Sequence, residues 1–369
     1  MPNGTSESAL PNDQAIDQPA AVRPGEMLDT ERLYAFLRDH LPDARAPLHV
    51  EQFPSGFSNL TYLLRLGERE LVLRRPPFGA NIKSGHDMGR EYRILSALSK
   101  TYPKVPRPLV YAEDPAIIGA PFYIMERVSG VILRARLPQG LKLEPELMRR
   151  ICHSLIDTLV ELHRLDYAAA GLADLGRPEG YVERQVGGWA ARYANARTDD
   201  VPAMEHAAAW LQGHLPPTSG AALIHNDYKY DNVVLDPTDP TRIKAILDWE
   251  MATLGDPLTD VGTTLAYWAE PDDPLALRQF GLTTLPGNLD RQQWVERYAA
   301  RSGRDVGNIL FYYVYGLFKN GVIVQQIYYR YRQGHTHDER FARLIDLVRL
   351  HGDMAMRAIE QERIHHLFA

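Results

Sequence analysis

Residues 222–260 read ALIHNDYKYDNVVLDPTDPTRIKAILDWEMATLGDPLTD. The skeleton is His225-x-Asp227-x4-Asn232 between apolar runs, with Asp248 sixteen residues beyond Asn232. ALI, VVLD and IKAIL have the brief β-branched character of short strands, and the PTDPT between the last two is turn chemistry. Closing that hairpin returns Asn232 and Asp248 to the same end of the strand pair. An aspartate on a rigid loop can orient a hydroxyl nucleophile, while an amide oxygen and a carboxylate are hard ligands able to hold Mg²⁺ on nucleotide phosphates. The spacing suits phosphoryl transfer. With an ordinary carboxyl pKa of about 4, Asp227 is a poor ground-state base for an alcohol. Its fitting role is to align the nucleophile and accept the proton late. The bland reading makes Asp227 and Asn232 turn formers and Asp248 the cap of a strand end.

Upstream, a second set of signals occupies a region of near period two. HVEQF, TYLLRL and ELVLRR read as successive strands, with Gly67-Glu68 as a tight turn, and LVYAE and PFYIMERV supply two more. Between the first two lies PSGFSNLTY. There Gly56 allows close backbone approach, and Ser58 and Asn59 offer donors to phosphate oxygens; an ordinary hairpin turn would have the same composition. Arg74 follows three apolar residues at the end of LVLRR, the position of the phosphate-pairing basic residue in the Val-Ala-Ile-Lys kinase pattern. On the helix expected over 86–98, Met88, Glu91, Tyr92, Leu95 and Leu98 share a stripe, so Glu91 lies within the buried face and needs a partner. Arg74 is the obvious one, with Arg90 and Arg93 on the same helix as the alternative. The strand Tyr123-Ile124-Met125-Glu126-Arg127-Val128 reads either as an ordinary buried strand or as a hinge whose backbone, from Met125 and Glu126 to Val128, meets an adenine.

The remaining chain sets these motifs in an α+β layout. Residues 1–27, rich in Pro, Ser, Asn and Asp, read as a disordered tail, and Asp29 as the cap of the first helix. Residues 28–127 form a small β-rich lobe with one inserted helix, and 128–369 a larger, mainly helical lobe. The latter holds the catalytic loop at 225–232, the metal segment at 248–250, and helical patterns over 145–165, 181–196, 201–213, 257–269, 291–301, 305–332 and 335–363. The net charge is −6 across 369 residues, with 45% apolar and 24% charged residues. That composition fits a globular core and carries no footprint for nucleic acid. A single cysteine, Cys152, rules out an intrachain disulfide or a zinc site, and no apolar run is long enough to span a membrane. With no signal-peptide pattern at the start, the expectation is a cytoplasmic protein without nucleic-acid or membrane partners.

Taken in order, Gly56-Phe57-Ser58-Asn59, Leu73-Arg74, Glu91, Met125-Glu126, His225-Asn226-Asp227-x4-Asn232 and Leu247-Asp248-Trp249-Glu250 resemble the aminoglycoside/choline kinase-like phosphotransferases. LRRPP, REYRILSAL, GYVERQVGGW and DWEMATLGDPLTD are similar to the branch associated with acyl-CoA dehydrogenases. The resemblance covers roughly residues 30–345. It implies a two-lobed protein-kinase-like fold, ATP with Mg²⁺ as cofactors, and a small-molecule hydroxyl as acceptor. By the same resemblance Asp227 is the catalytic aspartate and His225 braces its loop. Asn232 and Asp248 ligate metal, Arg74 holds the α/β-phosphates, and Glu91 holds Arg74.

Three positions depart from the family pattern. Arg74 replaces the usual lysine, so the phosphate geometry differs or Arg75 shares the role. Asn226 stands where related loops often carry glycine, which a left-handed Asn backbone accommodates. Glu250 replaces the glycine of Asp-Phe-Gly, as an extra metal ligand or as a cap of the following segment. Asp256 and Asp260 read as helix cap and brace, and His153 and His163 as packing or surface residues. Toward the C-terminus, Lys319, Arg330, Arg332, Arg340, Arg343, His335 and His337 outnumber Asp338 and Glu339. If they face the cleft they favour an anionic acceptor such as a hydroxyacyl-CoA or hydroxy acid, in an acyl-CoA dehydrogenase pathway; otherwise they form a solvated helix face. The aromatic run from Tyr312 to Tyr331 reads mostly as core. Other acceptors for the same chemistry are aminoglycosides, choline or sugars, and a pseudokinase regulating a partner is the reading of another class.

Overall fold

The computed structural model describes residues 16–42, 44, 47–54, 59–78, 87–137, 141–334 and 339–369. Its first lobe runs α1 (Thr30–His40), β1 (Leu48–Gln52), β2 (Leu60–Leu66), β3 (Arg69–Arg75), α2 (Met88–Leu98), β4 (Pro108–Ala112) and β5 (Phe122–Glu126). The five strands form one antiparallel sheet in the order β1-β2-β3-β5-β4. Gly67 takes φ 60° in the two-residue turn that sets Leu66 opposite Arg69, a left-handed conformation that glycine adopts without steric cost. Alternation along β3 divides the lobe. Leu71 and Leu73 join Leu33 and Leu37 of α1 on one face, whereas Val72 packs with Met88, Leu95 and Leu98 of α2 on the other. Both helices begin where the sequence places caps: Asp29 accepts from the Arg32 amide and Asp87 from the Arg90 amide.

The second lobe continues with α3 (Pro145–His163), α4 (Tyr181–Ala196), α5 (Pro202–Gly213), β6 (Ala222–Ile224), β7 (Val233–Leu235), β8 (Ile243–Ile246), β9 (Thr253–Gly255), α6 (Pro257–Tyr267), α7 (Leu275–Arg278), α8 (Arg291–Ser302), α9 (Ile309–Arg332) and α10 (Leu344–Gln361). β6 pairs with β9 and β7 with β8, both antiparallel, so four short strands form the floor from which the 225–232 loop and the 248–250 segment emerge. The fold is the two-lobed kinase-like α+β architecture. No helix among the described residues is long and apolar enough to cross a membrane.

Two features differ from the sequence expectation. Residues 16–27 belong to the structured part of the chain rather than to a disordered tail: Ala20 bridges Gln52 through two backbone bonds of 2.8 Å, and the Asp17 amide donates to the Gly130 carbonyl at 3.1 Å. This segment is held by backbone and charge, which its polar composition did not reveal. The short elements α7 and β9 were also not anticipated, since four and three residues carry no usable period. The rest of the expected tail, residues 1–15, lies outside the described residues.

Candidate active site between the lobes

A cavity of about 340 Å³ opens between the lobes. Its upper wall comes from β3 and α2. Arg74, on the Val72 face of β3, points into the cavity, while Arg75 points the opposite way, donating to the Pro76 and Ile118 carbonyls at 3.0 and 2.8 Å and lying over the Phe78 ring. The question of which arginine serves the cleft is thus answered by strand alternation in favour of Arg74. Its Nε lies 3.3 Å from Glu91 Oε2, and its Nη2 donates to Asp248 Oδ1 at 2.8 Å with Glu250 Oε2 3.8 Å away. Glu91 is 2% exposed and its Oε1 also accepts from the Trp249 amide at 3.1 Å, so it ties α2 to the 248–250 segment. Burial pushes the Glu91 carboxyl above its ordinary range, and the Arg74 charge opposes that push. Asn59 donates to Glu250 Oε2 across the cleft. Gly56 and Ser58, the other candidates in the first turn, lie outside the described residues.

The lower wall is built by the loop after β6, which closes in a single 3-10 turn over Tyr230–Asn232. Tyr228 and Tyr230 turn inward, donating to the Leu155 carbonyl and to Asn288 Oδ1, both at 2.8 Å. With both tyrosines turned inward, Asp227, Lys229 and Asp231 are left lining the cavity. Lys229 Nζ donates to both Asp227 carboxylate oxygens at 2.9 and 3.0 Å, and Asn232 Nδ2 donates to Asp227 Oδ2 and its carbonyl, each at 2.8 Å. Burial alone would raise the Asp227 carboxyl, but Lys229 overcomes it and holds the group below the ordinary aspartate value. Burial likewise disfavours the Lys229 ammonium, and Asp227 more than offsets it, leaving the lysine above its usual range.

His225 is fully buried, is not on the cavity wall, and acts as a brace. Its Nδ1 accepts from the Asp227 amide at 3.3 Å, which puts the ring proton on Nε2, where it donates to the Leu247 carbonyl at 2.9 Å. Asp260 receives the His225 and Asn226 amides at 2.6 and 2.8 Å, and its other contact is His163 Nε2 at 3.2 Å. Asp256 caps α6 by accepting from the Leu258 amide. Asn226 takes φ 66°, the left-handed backbone that a family glycine would adopt, and Asp248 takes φ 65°.

The β7–β8 register sets Val233 opposite Ile246, and the Leu247 amide donates to the Asn232 carbonyl at 2.8 Å, so Asn232 and Asp248 emerge side by side as the hairpin reading expected. Both Asn232 Nδ2 bonds run to Asp227, which places Oδ1, the ligating type of atom, on the other side of the amide. One guanidinium, Arg74, faces three carboxylates here: Glu91, Asp248 and Glu250. This excess of negative oxygen donors is what a divalent cation would neutralise, so the residues present fit Mg²⁺. Glu250 lines the cleft, where its Oε2 accepts from Asn59 Nδ2.

Met125, Glu126 and Val128 line the cavity where β5 leaves the sheet. Glu126 also pairs with Arg107, which holds its carboxyl below the ordinary value. Lys229 and Tyr267, which also lines the cavity with its ring 4.5 Å from Lys229 Nζ, were missed in the sequence. The signal for Lys229 was present in the alternation of Asp-Tyr-Lys-Tyr-Asp; for Tyr267 there was none. Of the C-terminal basic residues, Lys319 lies under the 225–232 loop, its Nζ donating to the Asn226 carbonyl at 2.8 Å, while the described arginines do not gather at the cleft. Arg332 faces Asp199 at 3.8 Å, Arg343 pairs with Asp346 at 3.4 Å, and neither these nor Arg330 and Arg340 line the cavity. His335, His337 and Asp338 lie outside the described residues. Tyr312, Tyr313, Tyr315 and Phe318 are core, as expected.

Residues 49–295 match the phosphotransferase enzyme family, APH. The chain belongs to this family. It is 35% identical over 326 residues to rat acyl-CoA dehydrogenase family member 11, covering 86% of this chain and 42% of that protein. The chain thus spans about two fifths of the length of such curated relatives. Among solved structures it resembles a putative aminoglycoside phosphotransferase from Ralstonia eutropha JMP134, with TM-score 0.74, 32% identity, and coverage of 90% of this chain and 99% of the other. An APH(2″) enzyme solved with GDP and kanamycin shares the fold at TM-score 0.62 and 15% identity, over 87% of this chain and 98% of its own.

Proposed function

We propose that this family member is a Mg²⁺- and ATP-dependent phosphotransferase that moves the γ-phosphoryl group to a hydroxyl of a small molecule. The observation that carries the reading is the meeting of Asp227, Asp248 and Arg74, from three separate elements, around one interlobe cavity. The backbone from Met125 to Val128 faces the adenine, and Arg74 meets the phosphates once nucleotide competes for its carboxylate partners. Asn232 Oδ1 and Asp248 would hold the Mg²⁺, with Glu250 beside them; when bound, the ion neutralises charge on the β- and γ-phosphate oxygens. Asp227 accepts a hydrogen bond from the acceptor hydroxyl and aims its oxygen at the γ-phosphorus. The new P–O bond forms as the bond to the β,γ-bridging oxygen breaks, ADP leaves with that electron pair, and the hydroxyl proton passes to Asp227 and on to water. Lys229 keeps Asp227 ionised and offers its ammonium to the charge in transit.

For the acceptor we infer a hydroxyacyl-CoA or related hydroxy acid, handled alongside an acyl-CoA dehydrogenase. The names of the curated relatives support this inference; Arg330, Arg332, Arg340 and Arg343 lend it nothing, because they do not line the cleft. Calorimetry with MgATP, followed by ADP release against a panel of hydroxyacyl-CoAs, hydroxy acids, aminoglycosides, choline and sugars, tests both levels. Tight MgATP binding and turnover with an acyl acceptor are expected, and Asp227→Ala abolishes the turnover. Turnover by aminoglycosides alone overturns the acyl preference, and turnover surviving in Asp227→Ala overturns the aspartate's role. Nucleotide binding with no turnover on any acceptor favours a regulatory pseudokinase, the reading that Arg74 and Asn226 motivate.

A further inference from the structure

α9 passes beneath the catalytic loop, and close packing brings it there. A Cβ on Gly262 of α6 would sit 1.9 Å from the Tyr312 carbonyl oxygen, and one on Gly316 of α9 would sit 2.2 Å from the Gly262 carbonyl oxygen, so the two backbones touch where neither residue has a side chain. Lys319 lies one turn after Gly316 on the same face. Its side chain is 1% exposed, and its Nζ donates to the Asn226 carbonyl at 2.8 Å with Thr263 Oγ1 at 3.5 Å. The peptide between Asn226 and Asp227 is therefore held at both ends, its carbonyl by Lys319 and its N–H by His225 Nδ1. Flipping that peptide would redirect Asp227, and Asn226 already sits in a left-handed conformation that needs external support.

We propose that Lys319 is a positioning residue for phosphoryl transfer, acting through the Asn226 carbonyl to fix the direction in which the Asp227 carboxylate faces the cleft. The proposal rests on the phosphotransferase reading for its consequence and on the contact geometry for its existence. A buried ammonium with one short hydrogen bond is a costly device where a leucine would fill the space, and its surroundings account for it. Asp260 on α6 and Asp227 on the loop supply negative charge, opposed by Lys229, while His225 sits on the far side of the same peptide. Tyr181 of α4 meets the Asn226 side chain, and a Cβ on Gly321 of α9 would sit 3.2 Å from His351 Cβ of α10. Burial lowers the Lys319 ammonium to about 8 against the pull of Asp227 and Asp260. Above that pH the loop loses its cation, so turnover declines on the alkaline side.

The full chain with Lys319→Met and Lys319→Arg, probed with MgATP and water as acceptor, tests this. Lys319→Met is expected to hold the MgATP Kd within about threefold while kcat falls by about 100-fold, because the loss is one of alignment and not of binding. Lys319→Arg restores most of kcat and moves the alkaline decline to higher pH, since a guanidinium stays charged. Amide hydrogen exchange over 225–232 should quicken by about tenfold in Lys319→Met, a readout that needs no turnover. Unchanged exchange in both variants, or a kcat and pH profile like the parent's, overturns the role of Lys319. Faster exchange in a chain that does not bind MgATP leaves the positioning role standing and sinks the phosphotransferase reading instead.

Discussion

Asp227 stays ionised in a buried place because an ammonium two residues away shares its carboxylate. That has a pH consequence whose sign can be worked out. Its carboxyl is held below the ordinary value, so the charged form and the stability it contributes are present above the unfolded pKa of about 3.9 and are lost as pH falls through the lower folded value. In Lys229→Met the burial effect acts with far less opposition and the carboxyl rises. The acid limb of kcat/KM should then move to higher pH by about one to two pH units. A pH–rate profile of the two proteins checks this, and an unmoved limb would remove Lys229 as the counter-ion. Arg74 and Arg75 give a second contrast between adjacent residues. Arg74→Met should raise the MgATP Kd by about tenfold or more and, because it leaves the buried Glu91 carboxylate without its counter-ion, also cost about 3 kcal/mol of stability, whereas Arg75→Met strands the Ile118 carbonyl and should cost about 1–3 kcal/mol in a urea titration while nucleotide affinity holds. Equal effects on nucleotide binding would contradict the β3 register.

At the scale of elements, local pairings were legible and crossings were not. The Asp227–Asn232–Asp248 set could be read because one hairpin carries it, with turn chemistry and strand character on neighbouring residues. Glu91 was legible because a charged residue on an apolar helical stripe demands a partner, and Arg74 stood at the end of an adjacent strand. Lys319 read as one more basic residue near a C-terminal segment, since nothing local says that it will meet a loop 93 residues earlier. Gly262 and Gly316 likewise look like tolerated helix glycines until the Tyr312 and Gly262 carbonyls are seen where their side chains would be. This crossing makes a prediction of its own. Gly316→Ala forces a methyl onto backbone, and backbone cannot rotate aside, so the substitution should destabilise by about 2–3 kcal/mol although alanine is the better helix former. Thermal melts decide the sign: a stabilised variant would mean the two helices can part without cost.

At the scale of the whole molecule, the lobes are joined by more than the chain after β5. Residues 16–27 run along the first lobe, pair Ala20 with Gln52, and end at the cleft, where the Asp17 carboxylate meets Arg134 at 3.0 Å and its carbonyl accepts from Arg127 Nη2 at 2.7 Å. Tyr62, whose ring is fully buried, donates to the Glu26 carbonyl at 2.7 Å, and burial raises its phenol to about 12. Removing residues 1–27 takes away the acceptor for that hydroxyl and the partners of two arginines. The ordering entropy recovered offsets part of this, so the net loss should be about 2–4 kcal/mol in urea unfolding. A double-mutant cycle separates a specific strap from general shortening. Tyr62→Phe should cost about 1 kcal/mol in the full chain, where it breaks a made hydrogen bond, and almost nothing in the truncated one, where the hydroxyl already lacks its partner. Equal costs in both backgrounds would mean that residues 16–27 do not hold Tyr62 in solution, and the segment would then revert to the tail its composition suggests.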